Sequence, residues 1–415
     1  MPATAFTLIF LAALIVTTLL RGWLARRQMI HVGANRDTVP ARFADRISLA
    51  DHQKAADYTL AKTRIGIADL MIGAASALIL TLGGLLQRCA DLISPAFPAD
   101  SPAFGVALFG LLILIGFVID LPLGLYRTFV LETRFGFNKT TPRLYVMDNL
   151  KQMALTIVIG GPLAWGVLWL MGRMGDTWWL WVWACWLGFN LLALVLYPTL
   201  IAPLFNTFKP LEQGDVKARI ERLLTRCAVT RADILMMDGS RRSAHGNAYF
   251  TGFGTSRRIV FFDTLLAHLA PPEVEAVLAH EIGHYRCHHL WKRLGMLSVI
   301  SLGLLWILSR LMDQTWFYSG LGVHTQGTAM ALLLFSIALP LFTFPFAPLL
   351  SALSRRHEYE ADAYAARQSG AADLVSALVK LYRDNASTLT PDPLHSLFHD
   401  SHPPASLRIA RLADR

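Results

Sequence analysis

The stretch LAHEIGHYRCHHLWKR, residues 278–293, carries two kinds of information at once. Its first half holds His280, Glu281 and His284 in the pattern H-E-x-x-H. Its second half is basic and runs into the apolar segment LGMLSVISLGLLWIL, residues 294–308. On a helix, residues four apart share one face, so His280 and His284 can turn a ring nitrogen toward a common point. Glu281 is rotated aside and reaches a water at that point rather than the point itself. Two imidazole ligands and one general base are the mechanical content of this motif. It sits directly before a segment that looks ready to enter a bilayer.

The rest of the chain is built to match. Of 415 residues, 54% are hydrophobic and only 16% are charged, where a soluble domain carries about 25% charged residues. Seven apolar stretches approach the ~20 residues that span the hydrocarbon of a membrane: Thr4–Leu20, Ile65–Leu86, Ala103–Tyr126, Met153–Met171, Trp178–Ile201, Leu294–Leu308 and Ala329–Leu353. The first has no basic segment before it and no small-residue cleavage site after it, so it reads as a retained helix rather than a signal peptide.

Charge between the stretches alternates. The first connection carries Arg21, Arg26, Arg27, Arg36, Arg42, Arg46, Lys54, Lys62 and Arg64, and the third carries Arg127, Arg134, Lys139, Arg143 and Lys151. The second, fourth and sixth carry Arg88, Arg173 and Arg310 alone. By the positive-inside bias, the odd connections and the C-terminus are cytoplasmic and the N-terminus lies outside. The net charge of +9 is the same bias. No basic module interleaved with aromatic residues accompanies it, and nucleic acid is not expected as a partner. Cys89, Cys185, Cys227 and Cys287 are far apart and form neither a disulfide framework nor a cysteine metal site.

The expected organisation is mainly α, with membrane helices one to five and their loops over residues 1–201. A small α/β unit bearing H-E-x-x-H follows over 202–293, then helices six and seven over 294–353, and a C-terminal segment over 354–415. Within the inserted unit, DVKARIERLLTRCAV has helical spacing, ADILMMD is a short strand, and NAYFTGFGTSRRIVFFD is two strands around a glycine-containing turn. PPEVEAVLAHEIGHYR opens with prolines and acids suited to a helix start.

A catalytic zinc needs a third protein ligand and an open position. The seventh stretch ends in LSRRHEYEADAYAARQSG, where Glu358 and Asp362 are again four apart. This helix emerges on the same side of the bilayer as the histidine motif. Glu358 can complete a His-His-Glu site for one zinc ion, and Asp362 can orient a ligand histidine from behind. Glu360 points away and is expected in solvent, and His357 ranks below Glu358 as a ligand.

The segments SAHGNAYFTGF, RRIVFFDTLL, VLAHEIGHYRCHH, LSRRHEYEADAYA and DSHPPASLRIARL, with TRFGFNKTTPRLYVMDNLK and LYPTLIAPLFNTFKPL upstream, together resemble the integral-membrane zinc metalloproteases of the Ste24 type. These are the type I CAAX prenyl proteases of family M48. The resemblance implies zinc on His280, His284 and Glu358, Glu281 as general base and acid, and Asp362 behind the ligands. It implies that Asn247 hydrogen-bonds the substrate backbone, that His402 acts in catalysis as a donor to the developing oxyanion, and that Arg408 meets the substrate. It also implies seven helices around a water-filled chamber. Asn138 and Lys139 match family positions without an assigned role. Short outer connections and the lack of a dilysine-type retrieval signal point to a bacterial inner-membrane homologue acting on a peptide or protein, with a lipidated substrate as one option and membrane-protein quality control as another. The competing reading is a non-catalytic membrane scaffold or peptide-binding protein with a structural zinc.

Overall fold

Helix starts are written into the apolar segments. Ser48 accepts a hydrogen bond from the Asp51 N–H, Ser101 from Phe104 and Thr141 from Leu144. Pro102 and Pro142 follow their caps at the first helical position, where a missing N–H costs nothing. In the structure, a computed structural model describing residues 1–229, 232–252 and 257–413, seven helices among the described residues are long and apolar enough to cross a membrane. They are Ala3–Ala34, Leu49–Leu80, Pro102–Glu132, Pro142–Arg173, Gly175–Phe205, His289–Leu311 and Thr328–Ser369.

Most of these helices run past the apolar stretches read from the sequence, and three boundaries matter for the site. The second span stops at Leu80 rather than Leu86, leaving helical geometry at Thr81, and Gly84 then takes a left-handed φ of 73° at the start of the next helix, a conformation that glycine tolerates and other residues avoid. A separate helix, Leu85–Ile93, follows. The sixth span gains its length at the front, beginning at His289 directly after the motif helix. The seventh bends through a tight turn at Phe344–Phe346 and then runs unbroken from Ala347 to Ser369. The membrane-crossing segment and the stretch bearing Glu358 and Asp362 are therefore one continuous element.

The two ends of the helical body are held differently. At one end, Phe6, Phe10, Phe104, Leu108, Phe317 and Tyr318 share an apolar cluster, and Gln87 bonds the Thr325 hydroxyl at 2.8 Å. At the other end the first, third and fifth connections meet the C-terminal segment. Gln28 accepts from the Asp392 N–H at 2.7 Å, and Tyr58 donates to Glu132 at 2.6 Å. Asn138 bridges to Ser243, and Arg242 grips Asp148 with two bonds of 2.8 and 2.9 Å. Asn138 and the Lys139 backbone thus fasten a loop to the inserted unit.

That unit holds a four-stranded sheet: β1 (Phe208–Pro210), β2 (Ala232–Met237), β3 (Ala248–Thr251) and β4 (Arg257–Phe262), in the order β1-β2-β4-β3. β2 and β4 are parallel, and the outer pairings are antiparallel. The expected β3–β4 pairing is present; residues 253–256 of its turn lie outside the described residues. β1 was not foreseen, since three residues ending at a proline leave no period to read. The sheet packs on the helices Asp215–Arg226 and Pro271–Arg286 through Ile220, Leu223, Ile259, Phe261, Val274, Leu278 and Ile282. Ala365, Leu374 and Ala377 from the C-terminal segment close the same core.

Candidate metal centre and cleft

The motif helix, Pro271–Arg286, is anchored at its start. Glu273 is buried and accepts bonds from the Ala270 N–H, the Ser376 hydroxyl and Lys380 at 2.7, 2.6 and 2.7 Å. Burial pushes its carboxyl up, but these donors outweigh that effect and hold it below the ordinary carboxylate range. At the other end, the helix backs onto Ala347–Ser369. A Cβ added to Gly283 would lie 2.9 Å from the Ala361 Cα and 3.0 Å from its carbonyl oxygen. The glycine between the paired histidines is therefore what lets the two ligand-bearing helices touch.

This contact brings His280, His284 and Glu358 together. One donor atom from each lies within 4.8 Å of the others. His280 Nε2 is 3.2 Å from His284 Nε2 and 3.5 Å from Glu358 Oε2. His284 Nε2 is 3.3 Å from Glu358 Oε1. Both rings point their Nε2 atoms at one spot, as the four-residue spacing predicts. Glu358 Oε2 is buried and makes no hydrogen bond, a costly state for a carboxylate oxygen; His280 Nε2 at 3.5 Å and Arg408 Nη1 at 3.8 Å face it from beyond bonding reach. The donor set therefore fits a divalent metal.

Asp362 stands behind His280, its Oδ1 2.9 Å from Nδ1. Arg408 in turn forks onto Asp362 with bonds of 2.8 and 2.6 Å. Burial works against the Arg408 charge, but Asp362 more than restores it and the guanidinium remains a cation. Burial also pushes the His280 imidazolium down, yet Asp362 and Glu358 carry it up to about 9. The two carboxylates are thus balanced by the guanidinium and a protonated His280, and a divalent ion would take the place of the His280 proton.

Arg408 lines the cleft, as its expected approach to the site requires. Its Nε and Nη2 are committed to Asp362, and its Nη1 lies 3.8 Å from Glu358 Oε2. Glu360 differs from expectation: its Oε2 lies 3.0 Å from His289 Nε2 instead of facing open solvent.

The remaining expected residues gather around a cavity of about 600 Å³ lined by Asn247, His280, Glu281, Glu358 and His402, among others. Asn247 immediately precedes β3, the edge strand of the sheet. His402 is exposed, with Ser401 on its Nδ1 at 3.0 Å and Nε2 3.4 Å from Glu358 Oε1.

A paired-histidine and carboxylate centre at the head of seven apolar helices defines an integral-membrane metallopeptidase. Comparison with known proteins makes the assignment specific. Residues 28–207 match the family model described as CAAX prenyl protease N-terminal, five membrane helices, and residues 210–415 match peptidase family M48. The chain is 32% identical to CAAX prenyl protease 1 of Saccharomyces cerevisiae, over 90% of this chain and 88% of that protein. It is also 32% identical to the Homo sapiens homologue, over 70% of each. The crystal structure of Ste24p from S. mikatae superposes with a TM-score of 0.92 at 31% identity, covering 99% of this chain and 100% of that one. The chain belongs to peptidase family M48 and is a metalloendopeptidase integral to a membrane.

Proposed function

We propose that His280, His284 and Glu358 hold a single zinc ion and that Glu281 is the general base and acid of peptide-bond hydrolysis. The observation that carries this reading is the convergence of two Nε2 atoms on the buried Glu358 carboxylate, one facing each oxygen, with Oε2 left without a hydrogen bond. When bound, zinc supplies Lewis-acid polarisation of a water and of the scissile carbonyl. Glu281, next in sequence to a ligand and on the cleft wall, takes the proton from the attacking water. It then delivers that proton to the leaving amine. His402 Nε2 faces the centre from the open side of the cleft and donates to the developing oxyanion. Asp362 fixes the His280 tautomer by accepting from Nδ1, and Arg408 keeps Asp362 ionised and in place.

Substrate geometry follows from the sheet. β3 pairs only with β4, so its second edge can take an extended peptide as an added strand. Asn247, at the start of that edge, supplies a side-chain contact to the peptide backbone. The names of the relatives specify prenylated CAAX ends as their substrates. A membrane-associated peptide or protein, lipidated or not, is the corresponding substrate here. Only 6% of the most apolar 18-residue window is buried in the second, fourth and fifth spans, against 28% in the seventh; spans this open support a wall one helix thick around a chamber. The Lys/Arg asymmetry supports an orientation with the N-terminus outside and the centre cytoplasmic, and the short outer connections support a bacterial inner membrane.

The test is the purified protein in detergent, analysed for metal and then offered prenylated and unmodified peptides, with fragments identified by mass spectrometry. Zinc-dependent cleavage lost in Glu281→Gln with zinc retained is expected. Wild-type cleavage by zinc-loaded Glu281→Gln would overturn the assigned base.

A further inference from the structure

His280 and His284 both aim Nε2 at the centre, so each leaves Nδ1 for an orienting partner. For His280 that partner is Asp362. For His284 it is another imidazole: His284 Nδ1 lies 2.9 Å from His289 Nδ1. His289 Nε2 lies 3.0 Å from Glu360 Oε2. Glu360 is ion-paired to Arg356 at 3.0 Å and stands 3.6 Å from Lys292, so it is a carboxylate that only accepts.

One proton arrangement satisfies this chain. Glu360 accepts from His289 Nε2–H, leaving the His289 Nδ1 lone pair free. His289 Nδ1 then accepts from His284 Nδ1–H, leaving the His284 Nε2 lone pair toward the centre. Reversing the first bond would place the proton on His284 Nε2 and close it to a metal. We propose that His289, backed by Glu360, is the positioning residue that fixes His284 in its metal-binding tautomer, as Asp362 backed by Arg408 does for His280.

The backbone explains how His289 comes to be there. Five residues along an unbroken helix it would sit well off the His284 face. His288 adopts φ 55° and ψ 33° between the motif helix and the sixth span, a left-handed conformation uncommon for a non-glycine residue. This break swings His289 back against His284, where it is buried and stacks on His357 with ring centroids 4.1 Å apart. Cys287, His289 and Glu360 also bring three donor atoms within 4.8 Å. Arg356 and Lys292 already occupy the Glu360 carboxylate, so this group serves the His284 ligand rather than a second cation.

The inference rests on the zinc reading above, and the experiment separates the two. Full-length wild type, His284→Ala, His289→Phe, His289→Asn and Arg356→Gln are purified in detergent, loaded with zinc and titrated with a competing chelator, with thermal midpoints of the metal-free proteins measured in parallel. Phe keeps the ring that stacks on His357 but removes both nitrogens. Zinc affinity of His289→Phe is expected to fall about 10–100-fold at an unchanged midpoint, the usual effect of losing an outer-shell partner. His289→Asn retains an acceptor near the Nδ1 position and recovers most of the loss, whereas Arg356→Gln, which removes one of the two cations beside Glu360 and leaves Lys292, lowers affinity less than His289→Phe. A folded His289→Phe that holds zinc like wild type overturns the proposal. So does equal zinc loss in the Phe and Asn variants, tracking a lowered midpoint. A wild type that binds no zinc, or loses none in His284→Ala, sinks the underlying reading as well.

Discussion

The Arg408–Asp362 pair provides the sharpest energetic test of how the centre is held. Both side chains are buried, and the guanidinium makes two bonds of 2.8 and 2.6 Å to the carboxylate. Replacing Arg408 with Met leaves Asp362 and Glu358 as neighbouring buried carboxylates without their cation. Removing one partner of a buried pair costs about 3–5 kcal/mol. For a cooperative unit of this size, 3 kcal/mol corresponds to roughly 6–12 °C in thermal midpoint. Removing both charges in Asp362→Leu with Arg408→Met eliminates the stranded ion, and replacing a buried pair by apolar groups is often close to neutral. The double variant should therefore be more stable than Arg408→Met alone, with a coupling of about 2 kcal/mol or more. The assay is thermal unfolding of the full-length protein in detergent, followed by circular dichroism and by zinc release. The two readouts should separate. Arg408→Met keeps its zinc at temperatures below unfolding, because removing a cation makes the centre more negative. The double variant loosens it, because His280 loses its Nδ1 acceptor. Additive destabilisation, with the double variant as unstable as the two single changes summed, would refute the reasoning.

Other expectations address separate links. Glu281→Gln should retain one zinc per chain and lose about 10²–10⁴-fold in peptide hydrolysis, measured as single-turnover cleavage. Gly283→Ala places a Cβ 2.9 Å from the Ala361 backbone; the two ligand-bearing helices must part, so zinc affinity and stability should fall together, and a fully metallated variant of wild-type stability would contradict the close packing. Glu273→Gln should cost about 2–3 kcal/mol at neutral pH, the worth of hydrogen bonds to a charged group. Because the folded-state carboxyl is depressed, its contribution is present above the unfolded value near ~4.3 and is lost as pH falls through the folded value. Unfolding curves of wild type and Glu273→Gln should therefore converge under acid and diverge above about pH 5.

Much of this molecule is legible in its sequence because the membrane imposes simple rules. Apolar length identifies the spans, and Lys/Arg alternation groups the connections that meet the inserted unit. The i, i+4 pairs His280/His284 and Glu358/Asp362 fall on faces that the structure brings within contact. Features set by backbone breaks and tertiary contact are harder to see. The second span ends early at Thr81, before the left-handed Gly84 that starts the next helix, a break that a run of leucines and glycines does not announce. β1 exists only because β2 lies beside it. His289 looks off-face by helical counting and becomes a partner of His284 only through the His288 turn. Glu360 looks solvated for the same reason. Arg408 reads as a residue approaching the cleft, and only the folded tail shows its fork spent on Asp362.

Zinc-edge X-ray absorption on the purified, catalytically active protein tests the central claim most directly. The account predicts a low-coordinate site with two imidazole nitrogens near ~2.0–2.1 Å, one carboxylate oxygen and one solvent oxygen, with the carboxylate contribution lost in Glu358→Ala. A sulfur shell at ~2.3 Å, or a spectrum unchanged by Glu358→Ala, would contradict it.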